Sequence, residues 1–140
     1  MIFWDSSALV ALIMEEPASK RRLRQLQEDP VILVWWGTPV ECESAIQRRL
    51  REGLVTAGEA AQARQNLAEL ARGWLEVQPT AELRQLALRL LRTYALRAAD
   101  ALQLAAAVVV ASRGVSVLKF ASADLRLNEA AEIENLAVLP

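Results

Sequence analysis

Apolar residues along this chain come in two rhythms. Short blocks are apolar on both faces and rich in β-branched or aromatic residues: Ile2-Phe3-Trp4, Val31-Ile32-Leu33-Val34-Trp35, Val115-Ser116-Val117-Leu118-Lys119-Phe120 and Leu136-Ala137-Val138-Leu139. Such blocks predict short strands, and double-sided apolarity marks strands buried in a parallel sheet. The last block is expected at a sheet edge. Trp74-Leu75-Glu76-Val77 predicts a further short extended piece before Pro79. The longer segments repeat apolar positions at helical spacing. They run over Ala8–Met14, Ala18–Glu28 and Thr38–Glu52, from Thr56 to near Arg72, from Thr80 to about Tyr94, over Ala101–Ser112, and from Asp124 to about Ala131.

The punctuation agrees. Asp29-Pro30 breaks one helix, and Gly53, Gly73 and Gly114 close others. Thr38-Pro39-Val40-Glu41 and Thr56-Ala57-Gly58-Glu59 both carry the Thr-x-x-Glu capping-box pattern. Leu23 and Leu26 give the otherwise polar Ala18–Glu28 helix a narrow apolar edge. Ala101–Ser112 is apolar nearly all round and should be central. Strands alternating with helices predict an α/β fold, with a short, mostly parallel sheet of about four or five strands surrounded by helices. The expectation is a single domain over residues 1–140.

Composition narrows the chemistry. With 140 residues, 54% of them hydrophobic, one core is easily filled. Sixteen basic and seventeen acidic residues leave a net charge of −1, so nucleic-acid contact would need local patches. Arg48, Arg49 and Arg51 are candidates to track a phosphate backbone; Arg21, Arg22 and Arg24 read as a solvated helix face. Trp35 is expected in the core and Trp36 at the surface. Cys42 stands alone, which excludes an internal disulfide and fits a reducing cytoplasm. There is no histidine, which removes the commonest general base and, with one cysteine, ordinary zinc ligation. Asp5 and Glu15-Glu16 interrupt the N-terminus, so no signal peptide is expected. The longest apolar run, Leu104–Ala111, falls short of the roughly 20 residues a bilayer needs.

Acids recur at strand ends. Asp5 follows the first strand, Glu41 lies in the helix after the second, and Asp124 follows the strand ending at Phe120. Asp100 opens the central helix. In a parallel sheet these positions share one edge, where ligands bind. Singly, each acid is explained as a helix cap or half of a capping box. Together they repel: at about 5 Å and an effective dielectric of about 20, one pair costs roughly 3 kcal/mol. Oxygen donors without His or Cys specify Mg²⁺ or Mn²⁺. Glu43 is the rival of Glu41, but two positions apart on a helix only one can face the cleft. Glu43 shares a face with Ile46 and Leu50. Ser6 and Ser122 could orient a carboxylate; Ser7 reads as a cap or turn residue.

The chain resembles the PIN-domain ribonucleases, in particular the VapC-like toxins of toxin–antitoxin pairs. The resemblance rests on Asp5-Ser6-Ser7-Ala8-Leu9 after a strand, Thr38-Pro39-Val40-Glu41 opening a helix, Leu96-Arg97-Ala98-Ala99-Asp100-Ala101-Leu102-Gln103-Leu104-Ala105, and Phe120-Ala121-Ser122-Ala123-Asp124. It spans essentially the whole chain, and the segment around Asp100 is its most specific piece. It implies acidic site residues at Asp5, Glu41, Asp100 and Asp124, and a Mg²⁺- or Mn²⁺-dependent endonuclease acting on RNA. It also implies a homodimer held inactive by a small antitoxin. The further acid that some relatives carry after the last aspartate is absent from Leu125-Arg126-Leu127-Asn128.

On this reading Asp5, Asp100 and Glu41 hold the principal ion, and Asp124 holds a second ion or orients the attacking water. A different class of reading is a non-catalytic module whose acidic pocket receives a partner's arginine. A phosphate-accepting receiver domain is disfavoured, because its aspartate follows a mid-chain strand and the middle here is helical. The helices over Ala18–Glu28 and Thr38–Arg72 are expected to leave an apolar groove for a partner's amphipathic segment.

Overall fold

The computed structural model describes residues 1–114 and 117–140. Its elements are β1 Ile2–Trp4, α1 Ser6–Ile13, α2 Ser19–Glu28, β2 Ile32–Trp35, α3 Thr38–Arg51 and α4 Ala57–Ala71. They continue with β3 Leu75–Val77, α5 Ala81–Thr93, α6 Ala98–Ser112, β4 Lys119–Ala121, α7 Leu125–Ile133 and β5 Ala137–Val138. The strands form one sheet in the order β3-β2-β1-β4-β5, and each neighbouring pair is parallel. The α/β expectation with a parallel sheet is met.

Strand periodicity explains how the core is divided. Ile2 and Trp4 of β1 face one side and pack with Leu9, Val34, Cys42, Ile46 and Leu67, from α1, β2, α3 and α4. Phe3 faces the other side and packs with Leu83, Leu90, Leu104, Phe120 and Leu127, from α5, α6, β4 and α7. On that face Phe3 and Phe120 stack at 5.6 Å. Each such side chain contributes about 1.5–3 kcal/mol on burial. The chain winds from β1 outward through β2 to β3, then returns to β4 on the other side of β1. The switch in strand order therefore falls between β1 and β4, and Asp5 and Ser122 follow those two strands.

Four local expectations change. The Thr38-x-x-Glu41 pattern does not form a capping box: Gly37 is the N-cap, Thr38 is already helical, and no side chain caps the end. In α2, Leu26 packs against the core as its apolar edge predicts, but Leu23 is 49% exposed and Arg22 is buried, so the helix docks through Leu26 and its arginine. In α6, Asp100 is the third helical residue and Arg97 the cap, so Asp100 sits inside the first turn rather than before it. The strand expected over Val115–Phe120 is seen at Lys119–Ala121, because its register is set by β1, with Ile2, Phe3 and Trp4 opposite Lys119, Phe120 and Ala121. Positions 115 and 116 of that expected strand lie outside the described residues. The other capping signals hold. Thr56 and Glu59 close a reciprocal box on α4, Thr80 caps α5, and Asp124 caps α7.

Candidate active site

Asp5 stands where β1 ends and α1 begins. It is the N-cap of α1, accepting the Ser7 N–H at 3.1 Å. It is also 3% exposed, far more buried than a surface cap. The Ser7 hydroxyl donates to the same oxygen, Asp5 Oδ2, and Ser122 Oγ donates to it at 2.9 Å. The two hydroxyls lie 3.2 Å apart and extend the network, with the Ala123 N–H reaching Ser7 Oγ at 2.8 Å and the Asp124 N–H reaching Ser122 Oγ at 3.0 Å. Ser7 thus does more than cap: it joins the start of α1 to the turn after β4.

Glu41 leaves the first turn of α3 toward the same edge. Its Oε2 accepts Ser6 Oγ at 2.8 Å and Gln103 Nε2 at 3.2 Å. Gln103, on α6, also donates to the Thr38 hydroxyl at 3.2 Å. These partners, 35 and 62 positions away, take the groups a capping box would have used. Glu43 points elsewhere and is held by the Arg64 guanidinium of α4 at 2.9 Å. Asp100 accepts the Arg97 N–H at 3.2 Å. Asp124 accepts the Arg126 and Leu127 N–H groups at 2.8 and 3.1 Å. Asp100 and Asp124 face each other across an open cleft of about 440 Å³, with Arg97 and Arg126 in its wall.

The acids feel one another. Burial pushes the Asp5 carboxyl above its usual range, hydrogen bonds from Ser7 and Ser122 oppose this, and the Asp100 charge adds to it. Burial likewise raises Glu41, against Gln103 and Ser6, and the charges of Asp5 and Asp100 add. The Cys42 thiol beside them is pushed up to about 12, chiefly by burial, so it is an inert core thiol rather than a nucleophile. Helix N-termini of α1, α3, α6 and α7 meet at this edge and offset part of the repulsion.

Among the described residues each carboxylate is tethered through one oxygen: Oδ2 of Asp5, Oε2 of Glu41, Oδ2 of Asp100 and Oδ1 of Asp124. The other oxygen of each is left over. That is the donor set a hard divalent cation needs, and histidine or thiolate ligands are not required. Among the described residues, however, no three Asp, Glu, His or Cys side chains close tightly enough to hold an ion as placed. The set is aligned on one edge and open. Sequence position alone is enough to expect the four acids at this edge. Ser7, Thr38, Gln103 and the cleft arginines were not among the expected site residues, because only tertiary packing brings them there.

Comparison with known proteins places the fold. The PIN domain family model matches residues 2–133. Ribonuclease VapC45 of Mycobacterium tuberculosis strain CDC 1551 is 32% identical, over 100% of this chain and 95% of its own. Among solved structures, Mycobacterium tuberculosis VapC20, a sarcin-ricin loop cleaving toxin, superposes with a TM-score of 0.71 at 18% identity, with 100% of each chain covered. VapBC2 of Rickettsia felis, bound to a promoter DNA fragment, gives 0.66 at 14% identity, over 99% of this chain and 98% of that one. The five-stranded parallel sheet surrounded by helices, matched over the whole chain by these structures, is an α/β fold of the PIN-like class. The chain belongs to the PIN-domain family.

Proposed function

We propose that this chain is a Mg²⁺- or Mn²⁺-dependent endoribonuclease, the toxin of a toxin–antitoxin pair working in the cytoplasm. The observation that carries the reading is the row of four singly tethered carboxylates at the switch point of a PIN-domain chain. A relative named a ribonuclease, matched over its length, supports it.

A hard divalent ion bound there supplies a more acidic water and neutralises charge on the phosphodiester. Asp5, Glu41 and Asp100 would hold the principal ion, and Asp124 would hold a second or orient the attacking water. Ser7 and Ser122 fix Asp5, and Ser6 and Gln103 fix Glu41. Arg97 and Arg126 offer charge-assisted hydrogen bonds to phosphate oxygens at the cleft.

The partner reading has its own support. A cleft of about 820 Å³ opens between the end of α1, the α1–α2 loop, the end of α3 and the start of α4, with Ile13, Met14, Pro17, Leu54 and Val55 beside a polar wall that includes Glu15, Glu59 and the Arg49–Glu16 ion pair. It suits an amphipathic segment of an antitoxin. Toxin–antitoxin complexes among the structural neighbours point the same way. A homodimer completes the proposal, and light scattering that finds only monomer at micromolar concentration would count against it. Among the described residues no helix is long and apolar enough to cross a membrane.

The test is to incubate purified protein with single-stranded and structured RNAs, in Mn²⁺ and in EDTA. Cleavage is expected in Mn²⁺ alone and should be lost in Asp5→Asn. A non-catalytic module that receives a partner's arginine would nick RNA under neither condition. Cleavage that persists in EDTA or in Asp5→Asn would refute the proposal.

A further inference from the structure

Arg22 is the residue that fits its helix least. α2 is polar, yet Arg22 is 1% exposed. Burying a guanidinium is costly unless its donors are satisfied. Among the described residues no Asp or Glu side chain pairs with it. Its donors go to two backbone oxygens and one side-chain amide oxygen instead. Nη2 donates to the Ser122 carbonyl at 2.7 Å, and Nη1 donates to the Pro140 backbone oxygen at 3.2 Å and to Gln25 Oε1 at 2.9 Å. Nε is buried, and among the described residues it has no partner. The guanidinium therefore ties α2 to the turn after β4 and to the segment after β5, across 100 and 118 positions of sequence.

The first tie leads to the site. Ser122 presents its carbonyl to Arg22 and its hydroxyl to Asp5 Oδ2, at 2.9 Å. The same hydroxyl accepts the Asp124 N–H. Carbonyl and hydroxyl belong to one turn residue, so a bond that holds this backbone narrows the positions open to the hydroxyl. Asn128 Nδ2 shares that carbonyl, but at 3.3 Å, and its own Oδ1 is buried without a partner. Arg22 makes the shorter, charge-assisted bond of the two. An apolar side chain would fill the space without the desolvation cost, but it could not direct the carbonyl.

We propose that Arg22 is a positioning residue of the active site: its guanidinium fixes the Ser122 carbonyl, and through it the turn whose hydroxyl holds Asp5. It touches neither substrate nor ion. The effect on turnover rests on the nuclease reading; the effect on the turn does not.

The experiment compares wild type, Arg22→Met and Arg22→Lys by amide hydrogen exchange, below the melting temperature of each. In Arg22→Met the Ala123 and Asp124 amides, bonded to Ser7 and Ser122, should exchange roughly tenfold faster, while amides of α5 and the β2–β3 ladder keep their protection. Arg22→Lys, with one compact donor, should restore part of that local protection. RNA cleavage in Mn²⁺ should fall in kcat, with KM within about twofold of wild type. A uniform rise across all amides, or none at Ala123 and Asp124, would overturn the proposal. Should Arg22→Met fail to fold, Arg22→Lys decides alone: a smaller but local rise at the same two amides is expected, and its absence is refutation. If wild type cleaves no RNA, the nuclease reading falls and the exchange result still judges Arg22.

Discussion

Glu41 and Glu43 stand two positions apart on α3 and have opposite surroundings. Glu41 is pushed up by burial among other acids, whereas the Arg64 guanidinium holds Glu43 below the usual range. Glu41→Gln should slow RNA cleavage roughly a hundredfold, about 2.7 kcal/mol of barrier. Glu43→Gln should stay within about twofold and cost under about 1 kcal/mol of stability, as its ion pair is partly exposed. The reverse order of cleavage rates would put the site on the other face of α3. The raised carboxyls also set a pH signature. Folded Asp5 and Glu41 bind protons more tightly than in the unfolded chain, so their contribution to stability is full below the ordinary values of 3.8 and 4.5. It is lost as pH rises through the raised folded values. Asp29, Glu43 and Glu134 are lowered and act oppositely, with stability present above the ordinary range and lost as pH falls through their folded values. Without metal, Asp5→Asn should therefore gain most over wild type at neutral pH, and urea denaturation at several pH values should show the gap closing on acidification. A gap that widens would contradict the burial account. The four acids were legible because each follows a strand or opens a helix. Gln103 and Arg22 were not, since one read as part of an apolar helix and the other as part of a solvated face.

At the scale of elements, local signals governed helix ends wherever no distant partner competed. Thr56 with Glu59, Thr80 and Asp124 all cap as their spacing predicts. Thr38 and Glu41 carry the same pattern as Thr56 and Glu59, yet Gln103 and Ser6 take both side chains into the site. The local pattern cannot register that competition. The consequence is measurable. Thr56→Ala and Thr80→Ala should each lower stability by about 1 kcal/mol in urea titrations and leave cleavage within about twofold. An unchanged midpoint would mean that these caps contribute nothing. A loss of cleavage would tie α4 or α5 to the chemistry. The helix α2 marks the opposite limit: of its predicted edge Leu26 packs on the core and Leu23 does not, while Arg22 found oxygens far along the chain.

At the scale of the molecule, the parallel sheet and its switch point were legible from alternating strand and helix blocks, and they carry the acids to one edge. What no spacing could supply is how closely those acids gather: among the described residues no three of them close into a group that could hold an ion. The central claim is that they form one cation site, and it is tested by thermal melts of wild type and Asp100→Asn, each with and without millimolar Mn²⁺. An ion that binds only the folded chain should stabilise wild type by about 2.7 kcal/mol at about a hundred times its dissociation constant. Asp100→Asn keeps a side-chain oxygen for the Arg97 N–H but loses the charge. Without metal it should melt at or above the wild-type temperature, and its gain from Mn²⁺ should shrink. Equal gains in the two proteins would contradict the shared site.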